Sequence, residues 1–489
     1  MSDAASVPFT ETKAPEAPER LHRGALSLID IAASTMANIG PAYSFFFGFG
    51  LIVLTAGIAA PLTIIAAGIA VALLGNTLSQ FSRAHPSTGG FITFVGKTFG
   101  GTSAVTTALL CGAGYIIAIS SVLAVSGWFL EFTLNYYFGW NVPWIIWSVL
   151  LTGGAVVMML RGVGVSTKLA GFFFGFELLV LVVVSVISLI KNGSHLSAAP
   201  FDPHNITGGF GGLAAGFPLA VYLFIGWENS AALAEETSSP RRNVPRAVFL
   251  SVALMLVSYL LFAYATVSGF LDNGAKLSAA PIPFITVAHS SLAALAVFAY
   301  LAGLTSTMGV LIAAVNSQAR LIFNAGREGL LPRFIGRVSA GRQVPRNAIF
   351  TFVGIAGVII VIWAIGHLIG GHAESGSMNG LSFFDESGTM GTILVLVVYF
   401  MSNLALPFYY RRYRPNEFNL LKHAILPVLG MIAIAIPVYY LCKPPQPAPY
   451  DWFPYAAGIV IVLSVIYSLF LVRRDPGLGE RVGSIVADE

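Results

Sequence analysis

Apolar runs separated by short polar connections recur along the whole chain. A helix needs about 20 predominantly apolar residues to cross a bilayer core. That length picks out twelve stretches: 25–52, 55–80, 102–134, 143–160, 165–190, 208–234, 246–270, 290–319, 347–369, 389–408, 424–442 and 452–472. The pattern predicts an all-α membrane protein with twelve transmembrane helices. The first, third, sixth and eighth stretches are longer than a straight crossing needs, so they are expected to be tilted or interrupted.

Two of these runs carry an interruption. The sixth contains Tyr222–Ser230, YLFIGWENS, where a glycine, a carboxylate and an amide stand side by side. A charge at the centre of a membrane helix costs about 2.5–3.5 kcal/mol on insertion scales, which makes Glu228 a functional candidate. The first run contains Asn38–Ser44, NIGPAYS. Pro41 lacks an N–H and clashes with the preceding turn, and Gly40 beside it tolerates irregular backbone. Both interruptions read I-G-x-x-x-S, from Ile39 to Ser44 and from Ile225 to Ser230. Interrupted segments at corresponding places of two halves point to a transporter's binding site. Five helices per half force opposite topology, which brings the two breaks together near the midplane as a 5+5 inverted repeat with discontinuous helices 1 and 6. The division expected is a disordered tail over 1–24, a first repeat over 25–190 and a second over 208–408. Two further helices over 424–472 and a tail over 473–489 follow.

Composition agrees. The chain has 489 residues, of which 56% are hydrophobic and 10% charged. Its mean hydropathy is +0.80. Soluble domains are about one quarter charged. Of the 26 lysines and arginines, all but Lys191, Lys276 and Lys443 fall on one side of the predicted spans. Positive residues concentrate on the cytoplasmic side, so both termini are expected there, in a bacterial inner or plasma membrane. The same scatter into short clusters argues against a nucleic-acid surface, despite a pI of about 9.0. Cys111 and Cys442 make neither a disulfide framework nor a metal site. The eight histidines have no metal-ligand spacing, and no cofactor is expected. No cleavable leader pattern follows the polar tail, so the first span is expected to remain in the mature protein.

Within the spans the only acids are Asp30, Glu131, Glu177 and Glu228, with Glu235 and Glu236 at a span end. Asp30 and Glu131 lie near aqueous ends and read as structural. Glu177 and Glu228 have no such exit. Burial in apolar surroundings favours the neutral acid, so Glu177 is a candidate for coupling proton binding to gating. Tyr43 and Trp227 could face a cationic head group or pack. Ser306 and Thr307 in the eighth span, and Tyr115 in the third, could serve the site or act as interhelical glue.

The segments Phe224–Glu228, Ala234–Glu236 and Pro240–Pro245 resemble the interrupted sixth helix and following loop of the amino acid–polyamine–organocation superfamily. Pro86–Phe91 is similar to that family's turn after helix two. Arg320 with Arg327–Pro332 resembles its loop after helix eight. The resemblance covers roughly 25–475 and implies the leucine-transporter fold. It also implies a substrate site lined by Ile39, Gly40, Ala42, Tyr43, Ser44, Tyr115, Phe224, Gly226, Trp227, Glu228 and Asn229. Glu228 occupies the position of a proton-sensing glutamate in bacterial arginine–agmatine antiporters. Glu177 falls near a helix-five lysine that replaces sodium in proton-dependent relatives. One departure matters: Gly40-Pro41-Ala42 stands where amino acid-binding relatives present G-S-G or G-x-G amides to a carboxylate, which leaves amines and polyamines open beside amino acids.

The expected function is secondary active transport of an amino acid or related amine by alternating access, proton-coupled or by exchange. Its partners would be the small solute, protons and membrane lipid. A passive channel would instead need polar rings along a pore, and an intramembrane enzyme a nucleophile–base pair or metal cluster. The isolated glutamates and sparse internal histidines speak against an enzyme, an amine-specific permease or a passive facilitator stays the alternative reading, and no nucleotide-binding motif is evident.

Overall fold

The structure, a computed structural model, describes residues 21, 23–339, 343–369, 379–446 and 448–481. The expected tails therefore lie largely outside the described residues. The fold is helical; among the described residues the only β pairing is a single parallel bridge between Leu26 and Thr237.

The first predicted span is two helices. α1 (Leu28–Ile39) opens on a capping box: Ser27 Oγ accepts from the Asp30 N–H, and Asp30 Oδ2 accepts from the Ser27 N–H. Asp30 is thus a structural acid, as its position suggested. α1 stops at Gly40, whose left-handed φ of 61° favours glycine. α2 (Pro41–Ala56) then starts on Pro41, where the missing N–H leaves no bond unmade.

α3 (Ala60–Ala84), α4 (Gly90–Phe99), α5 (Gly101–Phe138), α6 (Trp144–Leu160) and α7 (Val163–Lys191) complete the first half. The second half runs through α8 (Phe210–Tyr222), α9 (Asn229–Ala232), α10 (Pro240–Gly269), α11 (Gly274–Ala279), α12 (Pro283–Ser291) and α13 (Ala293–Arg327). It continues with α14 (Arg346–Ile369) and α15 (Gly380–Tyr413). α16 (Leu426–Cys442), α17 (Phe453–Arg474) and the short α18 (Leu478–Arg481) close the described chain.

All twelve predicted stretches contain helix. Among the described residues, nine runs are long and apolar enough to cross a membrane, with 28–84 counted as one; α6 and α8 are shorter apolar helices. The sixth stretch departs most from expectation. It does not resume as a long helix after its break: residues 223–231 run through tight turns such as Ile225 N–H to Tyr222 O and Asn229 N–H to Gly226 O. α13 and α15 extend past the predicted 290–319 and 389–408, because helix continues into polar residues that hydropathy does not mark.

α5 packs against α4, α6, α13, α14, α15 and α17, and α7 against α1, α10 and α13. Between these helices α2 inserts Phe45, Phe46, Phe47 and Phe49, all buried. Phe45 stacks on Phe49, and Phe46 on Phe284 of α12. Large side chains point outward on α14 (Val358, Val361, Ile362) and α17 (Ile459, Val462, Leu463). Such apolar outer faces suit hydrocarbon, where each helix meets its own backbone hydrogen bonds.

Candidate functional site

Gly40 and Gly226 bring the two breaks into contact. Gly226 has φ +104°, and a Cβ there would fall 2.9 Å from Asn38 Cγ. The Asn38 amide instead donates to the Gly226 carbonyl at 3.3 Å. A Cβ on Gly40 would fall 2.2 Å from Val310 Cγ2 on α13. Each glycine therefore supplies both a positive φ and room for a close neighbour, the Val310 side chain at Gly40 and Asn38 at Gly226.

Between the breaks lies a cavity of about 40 Å³ lined by Asn38, Ile39, Tyr43, Ser44, Ile225, Gly226 and Gln318 among others. That is far below the roughly 300 Å³ or more of a small-molecule site, so a solute would need the cavity to widen. Tyr43 forms an aromatic wall: its hydroxyl is 3.3 Å from that of Tyr222, and its ring meets Phe384 edge-on at 5.6 Å. Gln318 Oε1 is buried and has no hydrogen-bond partner among the described residues. An unsatisfied acceptor facing a binding cavity is available to a solute N–H.

The N-terminus of α2 borders this cavity. Its first backbone donors have partners within the protein. The Ala42 N–H donates to Glu177 Oε2 at 3.0 Å, and the Tyr43 N–H to Ser306 Oγ at 2.9 Å. Ser44 Oγ donates to the Ile39 carbonyl at 2.6 Å. Glu177 on α7 is fully buried, and its Oε1 has no hydrogen-bond partner among the described residues. A carboxylate at a helix N-terminus is stabilised by the exposed amides and the helix dipole.

Of the residues expected at the site, Ile39, Tyr43, Ser44 and Gly226 line the cavity; Gly40, Ala42, Glu177 and Ser306 form the layer beside it. The rest turn elsewhere. Glu228 Oε1 accepts from the Tyr115 hydroxyl at 2.9 Å, beside a separate cavity of about 10 Å³ bordered by Phe91 and Ser317. Trp227 packs on Phe91 and Tyr399, and Phe224 on Tyr259. Asn229 donates to Ser34 Oγ of α1 at 3.1 Å. The Thr307 hydroxyl bonds to the Leu304 carbonyl of its own helix.

Sequence reading missed Asn38, Tyr222 and Gln318 as site residues. A signal for Gln318 existed: Ser306, Val310, Ala314 and Gln318 recur every four residues and share one face of α13.

Below the site, Glu235 and Glu236 anchor a buried charge network. Arg320 Nε donates to Glu236 Oε2 at 2.5 Å, with both side chains at most 2% exposed. Arg327 Nη2 donates to Glu235 Oε2 at 2.9 Å. The segment before α1 is tied to the same place: the Leu26 N–H donates to the Glu236 carbonyl and the Ser238 N–H to the Leu26 carbonyl, each at 2.9 Å.

Two broken helices meeting at one small cavity inside a helical membrane protein are the leucine-transporter architecture. A solved structure of Mhp1, a nucleobase-cation-symport-1 family transporter in a closed conformation with bromovinylhydantoin bound, shares that fold. It matches with TM-score 0.51 and 15% identity over 96% of this chain and 99% of that one. The chain belongs to the amino acid permease family, whose profile matches residues 24–482, and it is a multi-pass membrane protein. It is similar to Asc-type amino acid transporter 1 of Mus musculus, 26% identical over 83% of this chain and 72% of that one. It is also similar to the uncharacterized amino acid permease YecA of Bacillus subtilis (strain 168), 23% identical over 59% of this chain. That second alignment spans 65% of the relative's length, just under two thirds.

Proposed function

We propose that the protein is a secondary active transporter carrying a small amine-bearing solute, an amino acid or a close relative, across the cell membrane by alternating access. The observation that carries the reading is the meeting of the breaks at Asn38 and Gly226 around one cavity. In this reading twelve helices cross the membrane, in two inverted repeats over 25–190 and 208–408 followed by the pair over 424–472. Both termini face the cytoplasm, as the positive residues suggest.

Substrate would lodge between Tyr43 and Gln318, with its ammonium toward the carbonyl-rich break of helix six and the aromatic ring of Tyr43. The small closed cavity supports an occluded conformation that widens when one helix group rocks against the other. The buried acids Glu177 and Glu228 supply the groups for proton coupling, one at the break of helix one and one beneath helix six.

Uptake into proteoliposomes under an imposed proton gradient tests this reading. A panel of labelled amino acids and amines is offered outside. Accumulation above equilibrium, dissipated by collapsing the proton gradient, is the expected result. Uptake that never exceeds its gradient would replace the reading with a passive facilitator.

A further inference from the structure

The N-terminus of a helix is a ready anion seat, because its first N–H groups lack helical partners and the dipole favours negative charge. In α2 that seat adjoins the cavity, yet no free donor is found in its first turn. Pro41 has no N–H. Ala42 donates to Glu177 Oε2 and Tyr43 to Ser306 Oγ, and Ser44 donates to the Gly40 carbonyl at 2.8 Å. The seat is already taken by a carboxylate on α7, fully buried, whose second oxygen has no hydrogen-bond partner among the described residues.

We propose that Glu177 is a resident carboxylate in the seat that a solute's own carboxylate would take, so that carboxylate-bearing solutes bind only with a proton taken up on Glu177. The inference rests on the transport reading above. Two carboxylates cannot share the Ala42 amide while both are ionised, since like charges at close range in a buried site disfavour the doubly charged state. A proton on the unpartnered Oε1 removes the repulsion and loosens the grip of Oε2 on the Ala42 N–H. The solute carboxylate can then accept that hydrogen bond. A solute with an ammonium and no carboxylate makes no such demand. Glu177 is therefore a specificity residue that links one class of solute to a proton.

Few other groups can supply that linkage. The side chains facing Glu177 are Ser306 from α13 and Tyr259 from α10, with the Ala42 amide from α2. The charged residues on the described helices packed against α7 sit at their ends: Asp30 on α1, Arg241, Arg242 and Arg246 on α10, Arg320 and Arg327 on α13, and the exposed His289 on α12. At about 1.5 Å per residue, Arg320 is roughly 20 Å along α13 from Ser306, and Arg246 about as far from Tyr259. On α7 itself Lys168 and Lys191 lie more than two turns away.

The test measures binding of unlabelled solute to the purified full chain at several pH values between about 6 and 8.5, below the range in which the ammonium groups of either ligand class lose their charge. The probes are L-alanine, L-leucine and L-lysine, each paired with the amine lacking its carboxylate: ethylamine, 3-methylbutylamine and cadaverine. Amino acid affinity is expected to rise as pH falls, approaching tenfold per pH unit where one proton is linked, while the paired amine shows no such slope. A slope arising at Glu228 would be shared by both classes, so the difference within a pair isolates Glu177. In Glu177→Gln the amino acid slope is expected to vanish, with affinity near neutral pH raised to the wild-type acid value. Amino acids that bind without a slope, amines with the same slope, or a slope surviving in Glu177→Gln would each overturn the inference and leave the transport reading standing. If that variant does not fold, the wild-type pairs decide alone. If neither class binds at any pH, the transport reading falls and this inference with it.

Discussion

Asn38 and Gly226 stand 188 residues apart in sequence and are joined by a hydrogen bond from the Asn38 amide to the Gly226 carbonyl. This contact fixes one break against the other and leaves no room for a side chain at residue 226. Gly226→Ala is expected to suffer twice, through left-handed strain of about 1–3 kcal/mol and through collision with Asn38 at 2.9 Å. Uptake is expected to fall at least tenfold with a lowered melting temperature. Wild-type uptake in this variant would show that the two breaks need not touch.

Glu228 sits away from the cavity between the breaks, bonded to Tyr115. That position supports the proposed part of Glu228 in proton coupling over direct solute contact. Glu228→Gln is expected to lower the maximal rate of uptake at least tenfold while leaving solute affinity within a few-fold of wild type. Tyr115→Phe removes the donor and is expected to shift the same parameter in the same direction. A large loss of affinity with an unchanged rate would instead return Glu228 to the substrate site.

Arg320 and Glu236 form a pair with almost no exposure. Removing one partner of a buried pair leaves an uncompensated charge, at a cost of about 3–5 kcal/mol. Arg320→Ala is expected to destabilise strongly, and adding Glu236→Ala is expected to recover part of that loss. Thermal denaturation of the two single variants and the double variant measures the coupling; strictly additive losses would show that the pair does not act as a unit.

Asp30 provides a control among the membrane acids. Its capping box predicts that Asp30→Ala, which removes the bond from the Ser27 N–H, costs about 0.5–1.5 kcal/mol, with the pH profile of transport unmoved. A flattened profile would mean that a capping acid also carries protons.

The breaks were legible in the sequence because Gly40-Pro41 and Gly226 beside Glu228 interrupt long apolar runs with residues that suit irregular backbone. Their pairing was expected from the matching I-G-x-x-x-S segments, and the Asn38–Gly226 hydrogen bond joins the two. What could not be read was which polar groups meet across the bundle. Glu177 and Ala42 are 135 residues apart, and neither the composition nor the periodicity around either one signals the other. Glu228 drew attention as a charge in an apolar run, but which way its side chain points depends on the tight turns of residues 223–231, which hydropathy does not encode. The helices α4 and α12 went unseen for a simpler reason: at 10 and 9 residues they are too short to register as membrane runs.

The tie between Leu26 and the strand-like segment after helix six is made of main chain at both ends. A change of side chain leaves the donors and acceptors of these bonds in place. In any transport cycle that separates residues 26 and 237, both bonds must break, and load on the residues before Leu26 falls on them directly. A bulky fusion or tether placed ahead of Leu21 is therefore expected to alter opening rates, whereas the same group on an outward-facing loop is not.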